Sequence, residues 1–122
     1  MSIFIPPTTA EQPDAVLTSW RAFEVEVPGL AGPTIHIAGY IGAEGCGRVT
    51  SPIEELDAAN RSVVTSSGRV YQLRGAPGLN GDAEYVWAKW QRLWKTTVLA
   101  DATADLLRQF DGARPPQERR HV

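Results

Sequence analysis

The residues best suited to covalent chemistry are Cys46, in Gly45-Cys46-Gly47, and His36, one of two histidines with His121. A thiol attacks as its thiolate, so a nucleophilic Cys46 needs His36 as a base brought to it across a sheet. Failing that, it needs an electropositive setting that lowers its pKa. Arg48 is the one neighbouring cation, and glycines on both sides describe a flexible, exposed loop. An incidental loop thiol is the better reading, and a small Cys46-dependent enzyme ranks last among the functions considered.

Other catalytic patterns fail on spacing. No HxxxH, HExxH or clustered Cys/His arrangement occurs, so no metal site is expected. Glu54, Glu55 and Asp57 form an acidic cluster without the Asp/Asn-rich loop of a calcium site, and read as a solvated hairpin end. Ser66-Ser67-Gly68 lacks the Gly-x-Ser-x-Gly frame of a nucleophile elbow. Gly42, Gly45 and Gly47 have no Lys-Ser/Thr after them and no helix to cap, as a phosphate-cradling loop requires. The chain reads as a non-enzyme that needs no cofactor.

The strongest pattern is a row of tryptophans. At 100° per residue, Ala83, Val86, Trp87, Trp90, Leu93 and Trp94 fall within an arc of roughly 120°. That arc is expected to be the buried lid of a sheet. The outer face of the same helix then carries Tyr85, Lys89, Arg92 and Lys95. Tyr and Arg are enriched at binding hot spots, so these four form the candidate partner-binding site, against the blander reading of a solubilising basic face. A single-stranded nucleic-acid platform needs exposed aromatics beside cations, and here the two lie on opposite sides of the helix.

Elements that position these groups follow from the hydrophobic period. Phe23, Val25 and Val27 alternate with Glu24 and Glu26, as in a strand with one wet face. Pro28 to Pro33 is a turn. Thr34 to Ile41 alternates again, with Ile35, Ile37 and Ile41 facing one way and His36, Ala38 and Tyr40 the other. After the Gly42–Gly47 loop, residues 48–56 read as a third strand bent at Pro52, which cannot donate to a ladder. Asp57 to Asn60 is a hairpin turn, and Val63-Val64-Thr65 and Val70 to Leu73 flank another at Ser66-Ser67-Gly68.

The period then lengthens. Asp82 is the expected N-cap of a helix over 83–95. Thr103, Leu106, Leu107 and Phe110 define a second amphipathic piece that Gly112 ends. The expected fold is α+β: a curved five-stranded antiparallel sheet or small open β-barrel, with a C-terminal Trp-rich helix packed on it.

At 122 residues the chain fits one domain. Residues 1–14 read as an extended N-terminal arm, 15–111 as the domain and 112–122 as a flexible tail. With 43% hydrophobic and 21% charged residues the composition is that of a soluble globular domain. A net charge of -2 argues against a general nucleic-acid binder. A single Cys fits a reducing compartment. The first basic residue is Arg21, so no signal-peptide pattern is present. No apolar run approaches the ~20 residues of a membrane helix. A cytoplasmic protein that does not engage membranes is expected. Charge is uneven along the chain: residues 1–60 hold two basic and eight acidic side chains, residues 61–122 ten and six. Opposite faces of the fold could orient a partner.

Thr50-Ser51-Pro52-Ile53, followed by Val63-Val64-Thr65-Ser66-Ser67-Gly68-Arg69-Val70-Tyr71-Gln72-Leu73, resembles a pattern in short bacterial and mobile-element proteins. In those, a Thr-Ser-Pro strand precedes a Thr-x-Ser-Gly hairpin ending in Tyr-x-Leu. The resemblance covers residues 34–94. It implies a small β-rich domain and offers no catalytic residue to carry over. Together with the small size it gives the leading function class its most concrete form: a non-enzymatic interaction protein, encoded by a phage or mobile element, that inhibits a host defence nucleoprotein complex such as CRISPR. The alternative is a small-barrel RNA- or DNA-binding protein, supported by fold analogy and the basic C-terminal half.

Overall fold

The computed structural model describes residues 8–112. Seven strands and two helices follow in the order β1 (Asp14–Glu26), β2 (Thr34–Ile41), β3 (Cys46–Val49), β4 (Ile53–Asp57), β5 (Ser62–Thr65), β6 (Val70–Leu73), α1 (Gly81–Trp94), β7 (Thr97–Asp101) and α2 (Thr103–Gly112). The fold is α+β, with one open sheet in the order β3-β2-β1-β6-β5-β4 and β7 paired to β1.

Two features of the sheet depart from expectation: it has seven strands rather than five, and it is mixed; it stays an open sheet, the first of the two expected forms. The hairpins β1–β2, β2–β3, β4–β5 and β5–β6 are antiparallel as expected. However, β6 returns to pair in parallel with the start of β1, Asp14 opposite Val70 and Leu17 opposite Leu73. The strand expected over 48–56 is two strands, β3 and β4, broken at Thr50-Ser51-Pro52. The break lets the chain leave one side of the sheet and rejoin it at the other, where Ile53 pairs with Thr65.

The bend in β1 makes this arrangement work. Beyond Leu17 the strand pairs with β2 on one side and, over Phe23–Glu26, with β7 on the other. A register irregularity lies between Thr18 and Arg21, and Ser19 occupies it at φ 48°, a conformation uncommon for a residue with a side chain. The extra residue lets Leu17, Trp20 and Ala22 turn to the same face despite their uneven spacing. There they join Ile37, Ile41, Val63, Tyr71 and Leu73 in the larger core. Leu106 and Phe110 of α2 close it. Thr103 anchors that helix, its hydroxyl accepting from the Ala22 N–H at 3.0 Å.

The opposite face of β1 and β2 carries the second core. Val25, Val27 and Ala38 lie there beneath Trp87 of α1, with Phe23, Val49, Leu79 and Trp90 packed around them. The alternation read in β2 is therefore realised: Ile37 and Ile41 point into one core and Ala38 into the other.

The N-terminal arm is more ordered than its composition suggests. Residues 1–7 lie outside the described residues, as do 113–122 of the expected tail and His121 with them. From Thr8 onward the arm is tied down. Thr8 and Glu11 bond one another, Thr9 donates to the Ser67 carbonyl at 3.1 Å, and Arg69 donates to the Gln12 carbonyl at 2.8 Å. No helix among the described residues is long and apolar enough to cross a membrane.

Candidate functional site

The expected site stands on α1, and the local sequence explains where that helix begins and ends. Its N-cap is Asn80, not Asp82: the Asn80 backbone is extended, and its side-chain oxygen accepts from the Ala83 N–H at 2.9 Å. Asn and Asp cap equally well. Asp82 instead lies inside the first turn with Glu84, where carboxylates complement the helix dipole. At the other end Lys95 adopts φ 54°, ψ 46°, and its N–H bonds the Gln91 carbonyl. That left-handed cap turns the chain into β7 with only Thr96 between them.

Tyr85 is 49% exposed, and the Lys89 ammonium lies 5.5 Å from its ring centroid, a cation–π pair. Arg92 is exposed in the last turn. Lys95 is exposed too, but its left-handed conformation takes it off the helical line. Of the four expected residues, therefore, Tyr85 and Lys89 form a pair, Arg92 continues the row, and Lys95 marks the turn beyond it.

The inner arc divides along its length. Ala83 and Trp87 are buried, whereas Val86 and Trp90 are half-buried. Leu93 and Trp94, expected inside, are 58% and 53% exposed. The reason is the extent of the sheet beneath. The helix starts against β3, where Gly47 lies so close that a Cβ would sit 2.5 Å from the Asp82 carbonyl oxygen. It passes over Phe23 and reaches His36, whose ring lies 4.7 Å from Trp90. β2 begins at Thr34, two residues earlier, so one further helical turn carries Trp94 past the end of the sheet. A 14-residue helix is about 21 Å long, whereas the four residues of β3 span about 13 Å.

That end of the sheet gathers other apolar side chains. Leu30 lies in the β1–β2 connection there and is exposed, and Val98, next to the start of β7 and opposite Val25, is also exposed. Leu30, Leu93, Trp94 and Val98 thus lie at one end of the fold, with Arg92 and Lys95 beside them. An exposed apolar grouping rimmed by charge is the usual form of a protein-interaction surface. Periodicity could not reveal it, because a helical wheel shows which side faces the sheet but not where the sheet stops.

Cys46 and His36 do not come together. His36 is 3% exposed, with Nδ1 2.8 Å from the Thr50 carbonyl and Nε2 2.7 Å from the Thr34 hydroxyl. Nδ1–H therefore donates to Thr50 and the neutral Nε2 accepts from Thr34. Burial lowers its pKa. The Cys46 thiol lies 3.8 Å from Glu44. Its pKa is raised, by burial first and then by the Glu44 charge, with Arg48 opposing. A raised pKa keeps the thiol protonated near neutrality.

Arg48 belongs instead to a buried polar knot. Its side chain is 2% exposed and pairs with Glu44 at 2.8 Å and with the Gln12 amide oxygen at 2.7 Å. Nη1 also lies 3.4 Å from the Tyr71 hydroxyl, which Arg69 approaches at 3.3 Å. The knot ties the arm, the β2–β3 turn and β6 to one another. Among the described residues no three His, Cys, Asp or Glu side chains converge as metal ligands. A cavity of about 200 Å³ lies between the sheet and α2, lined by Ile35, Ile53, Leu56 and Leu106 with Asp105 and Gln109.

Compared with protein families, with curated proteins and with solved structures, the chain matches none.

Proposed function

We propose that the protein is a non-enzymatic interaction module that binds a protein partner through the outer face and C-terminal turn of α1. The observation that carries this reading is the exposure of Trp94 and Leu93 beside Arg92 and Lys95. Large aromatic and Arg side chains supply most binding energy at protein interfaces. Half-exposed Trp and Leu side chains with no core to fill are costly to leave in water, by about 25 cal/mol for each Å² of apolar surface. Tyr85 and Lys89 extend the surface toward the start of the helix. The cations at the rim suit a partner whose apolar site is bordered by carboxylates. The narrower form of this reading, inhibition of a host defence nucleoprotein complex by a mobile-element protein, is supported by the small size and by the strand-and-hairpin resemblance.

The test is a co-purification from the native host with quantitative mass spectrometry, comparing the wild type with folded Trp94→Ala, Leu93→Ala and Lys89→Glu/Arg92→Glu variants. A partner lost in the Trp94 and Leu93 variants supports the reading. A partner retained by all of them moves recognition elsewhere on the fold. Binding of a nucleic acid that collapses under modest added salt supports the small-barrel nucleic-acid alternative instead.

A further inference from the structure

We infer that the α1 surface selects its partner by charge and takes an acidic segment. An apolar side chain of that segment seats on Leu93 and Trp94, while carboxylates beside it meet Lys89, Arg92 and Lys95. This rests on reading α1 as a protein-binding surface, and it adds the chemistry of the partner. From Tyr85 to Ala100 the chain carries these three cations and no acidic residue, although acidic side chains outnumber basic ones in the whole sequence. Ion pairs among the described residues are Arg21–Asp101, Arg48–Glu44 and Arg108–Asp105. None of them engages Lys89, Arg92 or Lys95.

Spacing sets these cations apart from an ordinary solvated face. Lys89 and Arg92 are three residues apart on the helix, where like charges repel and a Glu or Asp neighbour would relieve them. The helix dipole favours Arg92 in the last turn, but it does not account for Lys89, which lies before that turn. Leu93 stands one turn beyond Lys89 on the same side of the helix, and it is exposed. Apolar surface bordered by cations without carboxylates is complemented by an apolar side chain bordered by carboxylates, and such complementarity sets specificity and association rate. A nucleic-acid strand would neutralise the cations. It would leave Leu30, Leu93 and Val98, all exposed, without an apolar counterpart, because its interfaces are the more polar kind.

The experiment is an NMR titration of the isotope-labelled full chain with four probes. They are a synthetic amphipathic peptide of Leu flanked by Glu, the same peptide with Lys for Glu, a single-stranded oligonucleotide, and vesicles of anionic phospholipid. Saturable shifts at residues 85–98 with the Glu peptide, and not with the Lys peptide, are the expected result. Lys89→Glu/Arg92→Glu should weaken that binding at least tenfold at an unchanged melting temperature. The same variant should now bind the Lys peptide, a reversal that loss of folding cannot mimic. Absence of binding to the Glu peptide at millimolar concentration overturns the proposal. So does binding indifferent to the peptide's charge, or a preference for the oligonucleotide or the vesicles. A native partner lost in Trp94→Ala and Leu93→Ala but retained in Lys89→Glu/Arg92→Glu overturns it too, and leaves α1 in place as a protein-binding surface.

Discussion

Phe23 and Trp87 stack face to face, with ring centroids 4.5 Å apart and planes 13° from parallel. Trp87 continues the row onto Trp90 at 5.4 Å, and Trp90 meets His36 at 4.7 Å. One aromatic run therefore crosses from β1 through α1 to β2 and fixes the helix over the sheet. Position along the helix, rather than membership of the tryptophan face, decides what each indole does: Trp87 seals a core, Trp90 covers its edge and Trp94 faces water.

Trp87→Ala should accordingly be the costliest of the three, at about 3–5 kcal/mol for an emptied aromatic core site. Trp90→Ala should cost clearly less, because that side chain is only half-buried. Trp94→Ala should leave stability nearly unchanged. Chemical denaturation of the three variants gives the ranking, and equal costs for Trp87 and Trp94 would contradict the packing described.

The same contrast shows what the sequence makes legible. Alternation in β1 and β2 reveals which side chains oppose one another, because the period of a strand is a local property. The second helix is readable from Thr103, Leu106 and Phe110 for the same reason. Pairing between β1 and β6 is not, since nothing local distinguishes a strand that will take a parallel neighbour over Asp14–Leu17 and antiparallel ones later. The bulge at Ser19 is equally silent: a serine at positive φ is imposed by tertiary contacts, not by its own preference. β7 is hidden because five residues between two helices carry too short a pattern to separate from a connection. As for the site, Tyr85, Lys89 and Arg92 are legible as an outer face, whereas Leu93 and Trp94 needed the end of β2 to be located.

Gly47 should tolerate no side chain. A Cβ there would lie 2.5 Å from the Asp82 carbonyl oxygen and 2.9 Å from the Ala83 Cα, both backbone atoms that can yield only if α1 moves. Gly47→Ala is expected to cost about 1–3 kcal/mol by overpacking and to alter tryptophan fluorescence as the helix lifts. Wild-type stability with an unchanged emission spectrum would show that the helix sits farther from β3.

The Arg48 knot makes an asymmetric prediction. Glu44→Gln removes the carboxylate that neutralises a buried guanidinium, and a broken buried pair costs about 3–5 kcal/mol. Glu44 is itself partly exposed, which places the expected loss near the lower end. Arg48→Met keeps the volume and removes the charge, so it should cost less than Glu44→Gln. Thermal denaturation of both variants decides the order, and the reverse order would mean that Arg48 is neutralised by another group.

Stability should fall in two separate steps on acidification. Asp101 is raised by burial, but bonds from Thr103 and Arg21 outweigh this and hold it below its usual value. Its contribution is present above the unfolded carboxylate value of about 3.9 and is lost as pH falls through the lower folded value. His36 acts earlier. Burial lowers its folded pKa below the unfolded value of about 6.5, so between the two only the unfolded chain takes up the proton. Stability then rises with pH across that window, is complete above about pH 6.5, and declines as pH drops below it. Protonation would also place a second donor on Nε2, leaving it to face the Thr34 hydroxyl and the Trp90 ring. His36→Gln should abolish this first step and leave the lower one from Asp101 intact. Melting temperatures measured from pH 2 to 8 for wild type and variant supply the check. An identical slope just below pH 6.5 in both proteins would assign the step to a different group.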